Sequence, residues 1–233
     1  MDKKTNSTRD DQVRHFSELF RKHPGEPMAV SSESPVHKRI RFDQIAQIFA
    51  GEEKHFSLHD VGMGMGHFWE YLQQCHPDLD VQYSGTDVVP EYHRHCIETY
   101  PDLDFHLRDL AETPGPEMHD YVILSGVFHQ MRNSNRREWE QFAFAILENS
   151  FKMCRKGLAF NFISPFVDFH QSEVYYCDLM KLLHVIRDRM SRFFEVRHNY
   201  ALFEFTVFVY PEDSIRLKHP EAEMDKYFSR PDA

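Results

Sequence analysis

The chain alternates between apolar runs of strand length and amphipathic runs of helix length from about residue 55 to residue 190. Two further apolar runs, FFEVRHNY and LFEFTVFVY, then follow each other without a helical pattern between them. Strand–helix alternation predicts a mostly parallel sheet with helices on both faces, and right-handed crossovers make it doubly wound. We therefore expect an α/β fold with seven strands, of which the last two form an antiparallel pair.

The same pattern divides the chain into three segments. Residues 1–50 are expected to form an N-terminal helical extension, whose polar residues 1–10 are expected to be disordered. Residues 51–211 contain the alternating strands and helices, and residues 212–233 are expected to form a polar C-terminal tail. Within the second segment, EVYYCDLMKLLHVIRDRM is predicted to be one helix.

Composition and charge narrow the classes of partner. The 233 residues are 41% hydrophobic, which is typical of a globular protein, and carry a formal net charge of −10 without a long Lys/Arg block. A nucleic-acid substrate is therefore disfavoured, because binding to phosphates uses clustered basic residues. No apolar run approaches the roughly 18 residues that span a bilayer, so we expect a cytoplasmic protein without a membrane partner. The four cysteines lack zinc-site spacing, so no metal is expected, and the Phe-rich last strand pair is a candidate homodimer interface.

A glycine run, HDVGMGMG, follows the first predicted strand and contains Gly62, Gly64 and Gly66. Ligands of doubly wound sheets bind outside the carboxyl ends of the strands, where glycines let the backbone come close to them. A nucleoside-triphosphate loop is disfavoured because no Lys-Ser or Lys-Thr pair follows the glycines. The dinucleotide pattern G-x-G-x-x-G also fits poorly, since the glycines here are spaced G-x-G-x-G.

Three acidic residues accompany the glycines at the ends of successive predicted strands. Asp60 lies two residues before Gly62, Asp87 closes the second strand, and Asp109 follows the third. A carboxylate at the end of the second strand can accept hydrogen bonds from both hydroxyls of a ribose, and one after the third can accept from the amino group of adenine. An NAD(P)-dependent oxidoreductase would share Gly62, Gly64 and Asp87, so this class of enzyme remains an alternative. A non-catalytic module that binds a cofactor is a second alternative.

Four motifs between residues 55 and 165 carry a resemblance to one family: HDVGMGMG, GTDVVPE, LRDLAE and DYVILSGVFHQM. Together they resemble the class I S-adenosylmethionine-dependent methyltransferases, particularly the small bacterial members. The resemblance implies a Rossmann-like fold, S-adenosylmethionine as cofactor and S-adenosylhomocysteine as product. It also implies methyl transfer to an oxygen or nitrogen atom of a small-molecule or carrier-bound acceptor. One departure is Met65, where many members have Thr or Ser, so a hydroxyl contact at that position is lost.

The resemblance also implies roles for individual residues. Gly62, Gly64 and Gly66 would let the backbone approach the methionine and ribose portions of the cofactor. The other expected cofactor contacts are Asp60 and Arg41 to its amino and carboxylate groups, Asp87 to the ribose, Val88, Asp109 and Leu110 to the adenine, and Ser125 and Gly126 near the sulfonium.

The acceptor side is less clearly encoded, because methyl transfer is an in-line displacement that depends mainly on holding the acceptor close. His129 follows the fourth predicted strand and is the candidate general base for removing a proton from the acceptor. Gln130 and the polar Asn161, which lies inside an apolar strand, are candidates to orient the acceptor. Phe166 and Phe169 are candidate walls of its pocket.

Overall fold

A computed structural model describes residues 3–30, 34–51 and 54–228 of the chain. The seven strands are β1 His55–Val61, β2 Asp80–Asp87, β3 Asp104–Leu107, β4 His119–Leu124, β5 Cys154–Ile163, β6 Phe194–Arg197 and β7 Glu204–Val209. The α-helices are α1 Lys3–Lys22, α2 Pro35–Ile45, α3 His67–Cys75, α4 Pro90–Thr99, α5 Arg136–Phe151, α6 Leu179–Arg189, α7 Glu212–Lys218 and α8 Asp225–Phe228. Short 3-10 helices span Pro27–Val30, Ala46–Phe49 and Ala222–Met224.

The strands form one sheet in the order β3-β2-β1-β4-β5-β7-β6. Strands β1 to β5 all run parallel to one another. Strand β7 lies between β5 and β6 and runs antiparallel to both. The predicted doubly wound sheet with an antiparallel C-terminal pair is therefore confirmed. The chain reverses its direction across the sheet after β3, so the carboxyl ends of β1 and β4 lie side by side where a ligand crevice forms.

Both faces of the sheet are buried under helices. Along β4, Val122 and Leu124 belong to one apolar core, and Tyr121 and Ile123 belong to the other. This alternation arises because successive side chains of a strand point to opposite faces. Strands covered on both sides read as continuous apolar runs, which explains the YVIL sequence of β4.

The predicted helix EVYYCDLMKLLHVIRDRM is wrong in its first part. Helix α6 begins only at Leu179, where the Asp178 side chain accepts a hydrogen bond from the Lys181 N–H at 3.1 Å and caps the helix. The preceding residues are extended: the Tyr175 N–H donates to the His129 carbonyl at 2.9 Å, and the Cys177 N–H donates to the Ile163 carbonyl at 3.0 Å. Pairing with distant backbone thus overrides the local helical pattern.

Both ends of the described chain contain helices. Helix α1 begins at Lys3, within the segment 1–10 for which we expected disorder, and Thr8 is buried there. The segment expected to be a polar tail carries α7 and α8, and the ring of Phe228 packs against Phe193 with 5.5 Å between centroids. In the part of the chain that the structure describes, no helix combines the length and apolar character needed to cross a bilayer.

Candidate functional site

The glycine run forms a tight turn between β1 and α3. Gly62, Gly64 and Gly66 have φ of 73°, 57° and 80°, in the left-handed region that favours glycine. The Gly62 N–H donates to the Thr86 carbonyl at 2.7 Å, which ties the turn to the end of β2. A Cβ at Gly66 would lie 2.7 Å from the Tyr100 ring, so this glycine packs against α4 while Gly62 and Gly64 line a cavity.

Asp87 is buried at the end of β2 beside this turn. Its Oδ2 accepts a hydrogen bond from the Gly64 N–H at 3.0 Å, and its Oδ1 accepts from the Val89 N–H at 2.9 Å. A carboxylate has about four acceptor positions, so the Gly64, Val89 and Val88 donors leave it room for a further donor. Burial raises the pKa of Asp87 to about 6, although the backbone donors of Val89, Gly64 and Val88 oppose this rise.

Asp60 is a second buried carboxyl, at the end of β1. The Tyr83 hydroxyl donates to its Oδ2 at 2.7 Å. Burial raises the pKa of Asp60 to about 7, the Tyr83 hydrogen bond opposes this rise, and the charge of Asp87 adds to it. An acidic group kept partly neutral by burial would become fully charged if a cation bound beside it.

Two adjoining cavities bring most of the predicted cofactor residues together. The glycine-loop cavity, of about 150 Å³, is lined by Gly62, Gly64, Asp87, Val88, Asp109, Leu110, Ser125 and Gly126. The Asp60 cavity, of about 90 Å³, is lined by Asp60 and Arg41 and shares Gly62, Gly64, Ser125 and Gly126 with the first. The ends of the first four strands therefore converge on one continuous site, as the sequence predicted.

Polar groups in this site are left available for a ligand. The Ser125 hydroxyl is buried without a hydrogen-bond partner among the described residues. Asp109 is partly buried, and its Oδ1 accepts from the Ala111 N–H at 2.8 Å. Burial raises the pKa of Asp109 as well. Buried polar atoms without partners are costly, so their presence in a cavity favours a polar ligand there.

The N-terminal extension supplies a wall that the sequence analysis did not identify. Gln12 and Phe16 of α1 line the glycine-loop cavity, and Val30 lines both cavities. The Gln12 side chain donates to the Gln130 carbonyl at 3.0 Å, which fastens α1 over the segment after β4. Arg9 lies 3.7 Å from the Asp109 carboxylate. These contacts depend on how α1 packs on the sheet domain, which local sequence does not indicate.

Arg41 is placed differently from the prediction, because its main partner is a protein carboxylate. Its Nε donates to the Glu204 Oε2 at 2.9 Å and its Nη2 donates to Oε1. Its Nη1 instead points to Gly126, 3.3 Å from the position that a Cβ would take there. Burial would raise the pKa of Glu204, but His129, Arg41 and Asn161 together lower it below its ordinary value. The sequence signal for Glu204 was an acid inside the apolar run LFEFTVFVY, since a buried carboxylate needs a partner.

Asn161 connects this ion pair to His129. Its Oδ1 accepts from the Gly126 N–H at 2.8 Å, and its Nδ2 donates to Glu204 and to the His129 Nε2, which is 3.1 Å away. The partners on both sides fix the orientation of the amide, so the His129 Nε2 is an acceptor and the ring proton is on Nδ1. Burial lowers the pKa of His129 to about 4.

This arrangement does not favour His129 as the general base. Its one acceptor nitrogen is occupied by Asn161, and the His129 side chain lines neither of these cavities nor a third one beside them. Gln130 also lies outside them, beneath Gln12. Phe166 is 73% exposed beside His198, because the Ser164 hydroxyl accepts from its N–H and turns the chain outward. The structure therefore does not bring Gln130 and Phe166 to a pocket.

The part of the chain that the structure describes contains no cluster of side chains typical of a metal site. Within residues 3–30, 34–51 and 54–228, no three His, Cys, Asp or Glu side chains are grouped as metal ligands would be.

Comparisons with known proteins agree on one fold. No protein-family profile matches the chain. The chain is 29% identical over 159 residues, which are 66% of this chain and 92% of the relative, to the Mycobacterium tuberculosis protein named "Putative methyltransferase Rv1506c". It is similar in structure to the magnesium protoporphyrin IX methyltransferase of Synechocystis with bound S-adenosylmethionine, at a TM-score of 0.62, 14% identity and coverage of 91% of this chain and 98% of the other.

A second solved structure gives the same result. The N-methyltransferase NodS of Bradyrhizobium japonicum, in complex with S-adenosylhomocysteine, is similar at a TM-score of 0.62 and 11% identity, covering 87% of this chain and 99% of the other. These likenesses confirm the predicted Rossmann-like fold with its antiparallel C-terminal strand pair.

Proposed function

We propose that this chain, a class I S-adenosylmethionine-dependent methyltransferase, transfers a methyl group from that cofactor to an oxygen or nitrogen atom of a small-molecule or carrier-bound acceptor. The observation that carries the proposal is the convergence of four strand ends on the glycine-loop and Asp60 cavities. There the buried Asp87 carboxylate keeps acceptor capacity for a further donor, and the Ser125 hydroxyl is buried without a partner among the described residues.

The residues present fit the cofactor group by group. The remaining acceptor capacity of this buried carboxylate suits a ribose hydroxyl, so Asp87 would hold the ribose. Asp109 and the Leu110 N–H would hold the adenine, with Val88 against its face. In the Asp60 cavity, Asp60 would face the ammonium group and the Arg41 Nη1 would face the carboxylate. Ser125 and Gly126 line both cavities and would lie near the sulfonium.

When bound, S-adenosylmethionine supplies a methyl group on a positively charged sulfur, and the carbon–sulfur bond breaks with its electron pair going to sulfur as the acceptor attacks. The protein holds the acceptor in line and excludes water. An amine acceptor loses its proton to solvent after the transfer. A hydroxyl acceptor needs a proton acceptor during attack, and because Asn161 occupies the His129 Nε2, His129 serves this role only if that hydrogen bond opens.

Calorimetry with S-adenosylhomocysteine tests the ribose assignment. Asp87→Ala should weaken binding at least tenfold, which is about 1.4 kcal/mol, because the hydroxyls lose their charged acceptor. Asp102→Ala, at an exposed turn residue, is the matched control and should bind as the wild type does. If the Asp87→Ala variant binds S-adenosylhomocysteine with unchanged affinity, Asp87 does not bind the ribose. Stabilisation by NAD but not by S-adenosylhomocysteine in a thermal-shift assay would replace the proposal with an oxidoreductase.

A further inference from the structure

A third and larger cavity lies beside the site, at the ends of β5 and β7. This Phe203 cavity has a volume of about 500 Å³. Its aliphatic walls come from Ile163, Val167, Val174 and Leu202, and its aromatic walls include Phe169 and Phe203. Small-molecule pockets are typically about 300–1,000 Å³, mostly apolar, with a few polar groups that fix orientation. The volume and lining of the Phe203 cavity match that description.

Two aromatic rings of its lining are in contact with each other and still largely exposed. Phe169 and Phe203 are 59% and 48% exposed, although their rings meet edge to face with centroids 6.4 Å apart. Exposed rings around a concave, apolar space expose area that a ligand with a flat apolar body would bury. Of the two phenylalanines that the sequence offered as pocket walls, Phe169 lines this cavity and Phe166 does not, whereas Phe203 was not predicted.

The charges of the lining disfavour an ionic ligand. Among the described residues that line the Phe203 cavity, none is Lys or Arg, so the lining offers an anion no permanently charged partner and has His37 as its one basic side chain. The one carboxylate of the lining, Glu204, is already paired with Arg41 through two donors. Burying an unpaired charge is costly, so the cavity suits an uncharged body.

Glu204 nevertheless keeps one position for a donor. Its Oε2 accepts from Arg41 and from Asn161, whereas its Oε1 accepts from Arg41 alone. A second acceptor position on Oε1 therefore stays open. Because Glu204 lines the Phe203 cavity and its partner Arg41 lines the Asp60 cavity, this ion pair stands between the two spaces.

We infer that the Phe203 cavity binds the methyl acceptor, and that this acceptor is an uncharged molecule with a flat apolar ring body whose hydroxyl or amine donates to Glu204. The inference rests on the proposed function, because it assigns the acceptor of the same reaction. Glu204 acts here as a positioning residue that directs the reacting heteroatom toward the Arg41–Glu204 pair, which lies between this cavity and the Asp60 cavity.

Fluorescence titration of protein saturated with S-adenosylhomocysteine tests the inference with three probes: 1-naphthol, 1-methoxynaphthalene and 1-naphthyl phosphate. The first can donate a hydrogen bond, the second cannot, and the third carries a negative charge. We expect 1-naphthol to bind at least tenfold more tightly than either of the others, because a hydrogen bond to a charged group is lost in one and an unpaired anion is buried in the other. Glu204→Gln should reduce the preference for 1-naphthol over the methoxy compound, and the wild-type preference stands as the test if that variant does not fold.

Two tryptophan substitutions locate the probe. Val167→Trp adds an indole to the cavity wall and should weaken 1-naphthol at least tenfold, whereas Met180→Trp, at an exposed position of α6, should leave it unchanged. Both variants should bind S-adenosylhomocysteine as the wild type does. Equal binding of the three probes, or no effect of Val167→Trp, would overturn the inference while S-adenosylhomocysteine still binds. Binding of 1-naphthol that depends on Val167 without any binding of S-adenosylhomocysteine would keep the cavity as a binding site and reject the proposed function.

Discussion

Replacing Asp60 by Asn should stabilise the free protein at alkaline pH and weaken the binding of S-adenosylhomocysteine. Asp60 is 3% exposed, and burial raises its pKa from 3.8 to about 7. A carboxyl with a raised pKa in the folded state stabilises the fold fully only below its unfolded pKa, and this contribution is lost as the pH rises to the folded pKa. Asparagine has the same shape, carries no charge, and can still accept the hydrogen bond from Tyr83.

The magnitude follows from the two pKa values. The rise in the pKa of Asp60 from 3.8 to about 7 means that the wild type loses about 4 kcal/mol of unfolding free energy as the pH goes from acid to alkaline. The Asp60→Asn variant does not undergo this loss. Its unfolding free energy should therefore exceed that of the wild type by nearly zero at pH 4 and by about 4 kcal/mol at pH 8. For a chain of this size, about 2–4 °C per kcal/mol converts this into a melting temperature about 10 °C higher at pH 8.

Thermal unfolding of the free protein between pH 4 and pH 8 measures this difference. Asp102→Asn, at an exposed position, is the matched control and should follow the wild type at every pH. Calorimetry at pH 8 should show that Asp60→Asn binds S-adenosylhomocysteine at least fivefold more weakly, because the ammonium group of the ligand loses its charged partner. An advantage of equal size at pH 4 and pH 8 would refute the reasoning, since it could not come from ionisation of Asp60.

Three further predictions follow from the same site. Affinity for S-adenosylhomocysteine should fall as the pH is lowered from 8 to 5, because Asp87, whose pKa is raised to about 6, becomes protonated, and calorimetry in two buffers should detect proton release on binding at pH 6. In urea titrations, Gly66→Ala should lower the unfolding free energy by about 1–3 kcal/mol more than the control Gly25→Ala. Both glycines have positive φ, but only a Cβ at Gly66 would meet a tyrosine ring, at 2.7 Å. Equal losses of unfolding free energy would contradict this reason. Arg41→Gln should lower the unfolding free energy, measured in the same titrations, by about 3–5 kcal/mol, because it leaves the Glu204 carboxylate buried without its cationic partner. Adding Glu204→Gln should recover much of this loss. Additive losses in the double variant would show that the two side chains are not energetically paired.

Sequence predicted the sheet and the grouping of the proposed cofactor residues because both are encoded locally. A strand end is marked by the last residue of an apolar run, and parallel strands bring such ends to one edge of the sheet. Asp87 and Gly64 are therefore found together although they are 23 positions apart, with a hydrogen bond of 3.0 Å between them.

The proposed acceptor site depends on contacts that the local pattern does not contain. Arg41 and Glu204 are separated by 163 positions, and their pairing requires α2 to pack over the end of β7. The altered role of His129 has the same origin, since Asn161 reaches it from a neighbouring strand. Phe169 and Phe166 are both exposed phenylalanines of one loop, and only the path of that loop decides which of them lines a cavity.

Helix α2 gives the two halves of the site a common wall. Its first turn is fixed by the Ser34 side chain, which accepts from the His37 N–H at 3.3 Å. One turn later in the same helix stands Arg41, so that His37 lines the Phe203 cavity while Arg41 lines the Asp60 cavity. If a ligand at one cavity shifted this helix, the shape of the other cavity would change with it. Binding at the two cavities would then be coupled, with the same coupling free energy whichever ligand binds first.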